Sequence, residues 1–290
     1  MLRHFPLLAV AVPMLVACAG NLREYPAWMR AWADAVRPER SVHSDQRAES
    51  EAHRLPVEIQ RKADGQHMVL IPSGTFLMGR KRPYSPNPIS VSGGPGDGPF
   101  NGYPQRRVTL TRPYYMDVQE VSVGQWNDFC AATGREEWTI THAASDTLPA
   151  TRVLWSEARV YCQWVGCDLP TEAQWERAAR GGIEGEESCP DAPGDRDIRP
   201  RSRTGLYAVG STDRNPYGLR GMCANAGEWC LDRFDHYEMG AQVDPMGPEE
   251  GIGRAVRGLR HVVGRRGYAM SDDRYGFVGF RCARVVPADE

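Results

Sequence analysis

Residues 168–182 read DLPTEAQWERAARGG, and this stretch decides the fold. It predicts a short helix marked at both ends. Thr171 is placed to cap the N-terminus, with Gln174 three residues on to complete a capping box. Glu172 and Glu176 lie early, where the helix dipole favours acid, and Arg177 and Arg180 lie late. Gly181-Gly182 supply a left-handed stop. Ala173, Trp175, Ala178 and Ala179 leave a small apolar side for packing.

Outward from this helix the chain reads as short elements joined by long loops. It has 290 residues, 41% hydrophobic and 25% charged, with 30 glycines, 22 prolines and eight tryptophans. Those values suit a loop-rich globular domain. The net charge of −2 gives no basic footprint for nucleic acid. Two further helices are expected, one capped by Ser122 with Gln125 in the box, one capped by Ser156. The stretch 67–79, HMVLIPSGTFLMG, is split by Pro72-Ser73-Gly74 and predicts a hairpin. RRVTLTRPYYMDVQEVS resumes strand patterning after a long surface loop, and RAVRG and GFVGFRCARVV read as late strands. The expected class is α+β with little regular structure.

The N-terminus, MLRHFPLLAVAVPMLVACAG, has a basic start, an apolar run from Phe5 to Val16 and small residues after it. This is the pattern of a secretory signal, too short for a permanent span. Leu15 to Cys18, LVAC, resembles a bacterial lipobox, which makes Cys18 the lipidated N-terminus. Ordinary cleavage near Ala17-Cys18-Ala19 is the alternative. By the same resemblance, Ala19 favours the outer membrane. The division expected is a signal peptide over 1–17, a tether over 18–65 with transient helices, and a folded domain over 66–287. Export permits disulfides, and no C-x-x-C zinc spacing occurs.

Several stretches together resemble the sulfatase-modifying-factor family, whose domain is like the formylglycine-generating enzyme. They are MVLIPSGTFLMG, YYMDVQEVSVGQWNDFC, VLWSEARVYCQWVGCDLPTEAQWERAARGG, NPYGLRGMCANAGEW and GFRCARV, in family order from about Met68 to Val286. The resemblance implies a variant of the C-type-lectin-like fold. It also implies an oxidase that uses two cysteines binding copper, shortly after a G-G-S motif. Here Leu259-Arg260 follow Gly258, and no cysteine occurs between Cys230 and Cys282. Copper(I) needs soft thiolates, so no copper site is recognisable. The H-x-x-x-H-E helix of an iron-dependent sister branch is absent too; His67, His142, His236 and His261 are scattered.

The family's calcium loop implies ligands at Glu228 and the carbonyls of Ala224 and Ala226. Gly221 stands where the first ligand side chain would be, which implies a weak calcium site or none. The alternative is that Glu228 and Asn225 hydrogen-bond the loop. The resemblance also implies a Cys162–Cys282 disulfide. Cys167 with Cys230 and Cys189 with Cys223 are further guesses, leaving Cys130 over.

Three functions follow. The first is an exported lipoprotein, held to the membrane by Cys18, that binds a protein or glycan at the cell envelope. The second is a divergent enzyme, a metal-dependent oxidase of a peptide or small molecule. Its pocket would use Arg260, His261, Arg265, Arg266 and Tyr268, with arginines for an anion and His261 as base. A solvated basic loop is the simpler reading of those residues. The third, formylglycine generation on sulfatases, has the least support.

Overall fold

The computed structural model describes residues 26–36, 42–82, 102–135, 145–184, 205–223, 225–258 and 262–288. In chain order the elements begin α1 (Ala27–Trp32), β1 (Ala33–Val36), α2 (Ser44–His53), β2 (Glu58–Arg61), β3 (His67–Ile71) and β4 (Gly74–Met78). Then come β5 (Arg106–Leu110), β6 (Tyr114–Asp117), α3 (Val123–Thr133), α4 (Trp155–Trp164) and α5 (Glu172–Arg180). The last are β7 (Gly227–Arg233), β8 (Gln242–Val243), β9 (Arg254–Arg257), β10 (Gly267–Ala269), β11 (Val278–Gly279) and β12 (Ala283–Val285). Three sheets result, ordered β1-β2-β3-β6-β12, β10-β9-β7-β11 and β4-β5-β8.

The locally encoded helix ends are as the sequence predicts. Ser122 and Gln125 form a capping box on α3, as do Thr171 and Gln174 on α5. Gly134 and Gly181 end these helices at φ 64° and 59°. The start of α4 differs. Its N-cap is Leu154, whose N–H is accepted by Glu157 at 3.0 Å, so Ser156 falls inside the first turn.

Two expectations fail for tertiary reasons. β3 and β4 do not form a hairpin; β3 pairs with β2 and β6, and β4 with β5. Between them Arg177 of α5 donates to the carbonyls of Pro72, at 2.6 Å, and Ser73, at 2.5 Å. This pins the chain as it crosses between sheets. The expected tether is also partly built into the fold. β2 pairs with β3 and carries β1 at the sheet edge, while Met29 and Trp32 of α1 are buried against Leu70 and Tyr115. Polar composition hid this, because only alternate residues of β2 face inward. The proposed signal peptide and Cys18 lie outside the described residues.

One hydrophobic cluster packs α5 against the β4-β5 face and includes Trp175, Phe76 and Val108. A second joins α3 and α4 to β7 and β11 around Trp126, Tyr161, Trp229 and Phe280. The candidate site sits at the N-terminal end of α5, where β5, β7 and β9 converge.

Candidate functional site

The charges of α5 are not surface decoration. Glu172, Glu176, Arg177 and Arg180 are all buried, Glu176 completely. Glu172 and Glu176 stand one turn apart, a like-charged spacing that disfavours an isolated helix. The compensating cations come mostly from the late strands. Arg257 of β9 donates to Glu176 at 2.6 Å and to Glu172 at 3.3 Å. Arg266, just before β10, grips both oxygens of Glu172. Arg180 completes Glu176 from within the helix at 2.7 Å, and the Gly79 N–H adds a bond at 2.7 Å. Burial of Glu176 is opposed by Arg180 and Arg257, and the net effect holds its carboxyl below the usual range.

Above this network lies a cavity of about 480 Å³. Glu172, Asp232, Arg106 and Arg266 border it on the inner side, and Val243, Pro245 and Met246 on the outer side. Asp232 of β7 accepts the Glu172 backbone N–H at 2.8 Å. Burial, then the nearby Glu172 charge, pushes its carboxyl up to about 7. The Tyr237 ring is flanked by two guanidiniums, Arg106 at 3.5 Å and Arg266 at 4.0 Å from its centroid. Its hydroxyl accepts from Arg257 at 3.2 Å.

Of the residues expected to form a pocket, Arg260 and His261 lie outside the described residues. Arg265 and Arg266 are buried, which overturns the reading of a solvated loop. Only Arg266 meets the cavity; Tyr268 packs its ring on Phe234, centroids 5.0 Å apart. Sequence reasoning missed Arg106, Glu172, Asp232 and Tyr237. The Glu172/Glu176 spacing was the available signal, since paired like charges on one face call for cations from elsewhere.

Glu228 is wholly buried and held by Arg281, whose Nε and Nη2 donate to its two oxygens at 2.7 Å each. The Trp175 indole N–H donates to the same carboxylate at 2.7 Å. A divalent cation there would sit beside a guanidinium. Gly221, at φ 70°, offers no side chain, and Glu120 crowds the space a side chain would take; a Cβ on Gly221 would lie 2.7 Å from Glu120 Oε2. Neither Glu120 oxygen has a hydrogen-bond partner. The Asn225 amide is near enough to favour the charged form of Glu120 weakly, but its well-formed hydrogen bonds go to the Tyr207 backbone. Burial pushes Glu120 up to about 8; Arg281 opposes the shift and Glu228 adds to it. Ala226 is buried and Ala224 lies outside the described residues. Among the described residues no group of three or more His, Cys, Asp or Glu gathers as metal ligands. The donors present do not fit the family's calcium.

Nor do the free thiols among the described residues suit copper(I), which binds thiolate. Burial raises the thiols of Cys162, Cys167, Cys230 and Cys282 above their ordinary value. The Cys162 and Cys282 sulfurs are 3.3 Å apart, in contact but not bonded. The guessed Cys167–Cys230 pair is not formed. Cys167 sits beside Arg61 at 3.4 Å, while Cys230 belongs to the α5 cluster. Cys223 is disulfide-bonded, and Cys189 lies outside the described residues.

The fold is a formylglycine-generating-enzyme-like variant of the C-type-lectin-like fold, with short strands and few helices among the described residues. The chain belongs to the family of the sulfatase-modifying factor enzyme 1-like domain, which matches residues 53–286. It is 28% identical over 296 residues to the formylglycine-generating enzyme of Thermomonospora curvata, covering 74% of this chain and 92% of that one. It is 29% identical over 157 residues to the inactive C-alpha-formylglycine-generating enzyme 2 of Bos taurus, covering 47% and 50%. The solved structure of PvdO from Pseudomonas aeruginosa is similar at a TM-score of 0.60 and 23% identity, covering 79% of this chain and 98% of that one.

Proposed function

We propose that this protein is a lipid-anchored binding module of the cell envelope that does not generate formylglycine. Its partner is a protein or glycan at the cell envelope, and the α5 cavity is a binding site of the module. The observation that carries this reading is the segment from Gly258 to Arg281. It contains no cysteine, and Arg266 and Arg281 within it hold buried carboxylates. A relative whose name marks it as inactive supports the idea that the fold persists without the activity. The anchor rests on LVAC at 15–18, with Cys18 as the lipidated residue and the outer membrane as its destination. The test is incubation of the purified protein with a sulfatase-motif cysteine peptide and copper. Mass spectrometry should show the peptide unchanged; a mass loss matching conversion of cysteine to formylglycine would overturn the reading. Cys18→Ser should release the protein from membranes.

A second reading, a divergent enzyme, is favoured by Asp232. A carboxyl raised to about 7 at the wall of a cavity suits general acid or base work. Stoichiometric iron in the protein as isolated would support it over the binding module.

A further inference from the structure

The ion pairs beneath the cavity leave one cation over. Arg257 and Arg266 share Glu172, and Arg180 and Arg257 share Glu176. Among the described residues no carboxylate pairs with Arg106. Its Nε and Nη1 have no hydrogen-bond partner, and its Nη2 reaches only the Met78 sulfur at 4.0 Å. The residue is 8% exposed. A buried guanidinium without an oxygen acceptor carries an uncompensated desolvation cost. Burial accordingly lowers its pKa from the ordinary arginine value, with Tyr237 and Glu172 only partly opposing this. What holds it in place is the face of the Tyr237 ring, whose centroid lies 3.5 Å from the guanidinium carbon.

The carboxylates around the cavity are engaged elsewhere. Glu172 is gripped by Arg266 and Arg257. Asp232 accepts the Glu172 N–H, Asp235 accepts the His236 N–H at 2.6 Å, and Glu238 accepts from Gln242 at 3.1 Å. The outer wall is apolar: Val243 and Met246 are 65% and 60% exposed, and Pro245 lies between them. A cavity of about 480 Å³ is the size of a small-ligand site.

The geometry points to a carboxylate-binding site: the cavity takes a small organic acid, or the C-terminal residue of a peptide, with its carboxylate on Arg106 and its apolar body against Val243, Pro245 and Met246. The planar guanidinium matches a carboxylate in shape. A single negative charge suits the site better than a phosphate dianion, because Asp235 and Glu238 stand at the rim. The Arg106 Nε and Nη1 are covered by neighbouring atoms. Contact through these atoms therefore requires the guanidinium to slide along the Tyr237 face toward the cavity, a movement that breaks no ion pair or hydrogen bond to oxygen among the described residues. This inference rests on the cavity being a binding site, as proposed above, and not on the lack of oxidase activity.

The test is titration of the purified protein with benzoate, hexanoate and the peptide Ala-Ala-Phe, beside benzamide, hexanamide and the amidated peptide, followed by calorimetry. At least one free carboxylate should bind, with its amide weaker by about tenfold or more, as loss of a charge-assisted bidentate contact implies. Binding of the small acids assigns the site to free acids; binding of the peptide alone assigns it to a C-terminus. Arg106→Gln should fold and weaken binding by a similar factor. Met246→Asp, at the exposed rim, should weaken it by charge repulsion and decides the matter if Arg106→Gln does not fold. Absence of binding by every carboxylate, equal binding of the amides, or unchanged affinity in a folded variant would overturn the proposal.

Discussion

Arg281 clasps Glu228 through both carboxylate oxygens at 2.7 Å, and neither side chain is exposed. The glutamate that the family resemblance marks as a calcium ligand is thus a structural partner of the arginine in the closing GFR. Removing one member leaves the other buried without its direct charge partner. Glu228→Ala and Arg281→Ala should each destabilise the fold by about 3–5 kcal/mol. Urea unfolding measures this, and the double variant should cost well under the sum, since the two changes remove one interaction. Added calcium should not move the wild-type midpoint.

Glu120 gives the fold a pH dependence. Its folded carboxyl is raised to about 8 from an ordinary 4.5, so the folded state binds this proton more tightly than the unfolded one. The stability linked to it is full below about pH 4.5 and is lost as pH rises toward 8. Glu120→Gln removes that dependence. Near pH 9 it should be more stable than wild type, because the carboxylate must then be buried charged whereas the amide carries no charge to bury. Unfolding free energies across pH 5–9 check this; parallel curves for the two proteins would contradict it.

Gly221 and Glu120 should be energetically coupled. Any side chain at 221 meets both a positive φ and the Glu120 oxygens. Gly221→Ala should cost about 1–3 kcal/mol in wild type from crowding and backbone strain. In a Glu120→Ala background only the backbone share should remain. A double-mutant cycle by thermal unfolding reads the difference, and strict additivity would show that the two do not touch.

Cys162 and Cys282, with sulfurs 3.3 Å apart, are poised to bond under oxidation. Peptide mapping without reductant should recover a Cys162–Cys282 bridge from protein kept under oxidising conditions. Because the loop between them exceeds 100 residues, the bridge should stabilise by about 4–5 kcal/mol on the chain-entropy estimate. Loss of that increment on adding dithiothreitol, and its absence in Cys282→Ser, are the measured signs.

What the sequence made legible is what is encoded locally. The caps at Ser122 and Thr171 and the stops at Gly134 and Gly181 depend on residues three to ten positions apart, and all are in place. The ordered family motifs carried the fold class. The break between β3 and β4 was not legible, because Arg177 imposes it from α5 across the fold. The site was obscured for the same reason. Glu172 and Glu176 looked like helix-dipole acids, and Arg265 and Arg266 like a solvated loop, because burial of charge shows only when the partners meet. Arg106 gave no signal at all; its significance is the lack of a partner, which only packing reveals.

The proposed loss of the family's copper chemistry rests on the cysteine-free segment from Gly258 to Arg281. Copper(I) titration of the reduced protein against a competing chelator tests it most directly. The account predicts no stoichiometric copper retained once the chelator is in modest excess. One copper(I) per chain, held in that competition, would contradict it.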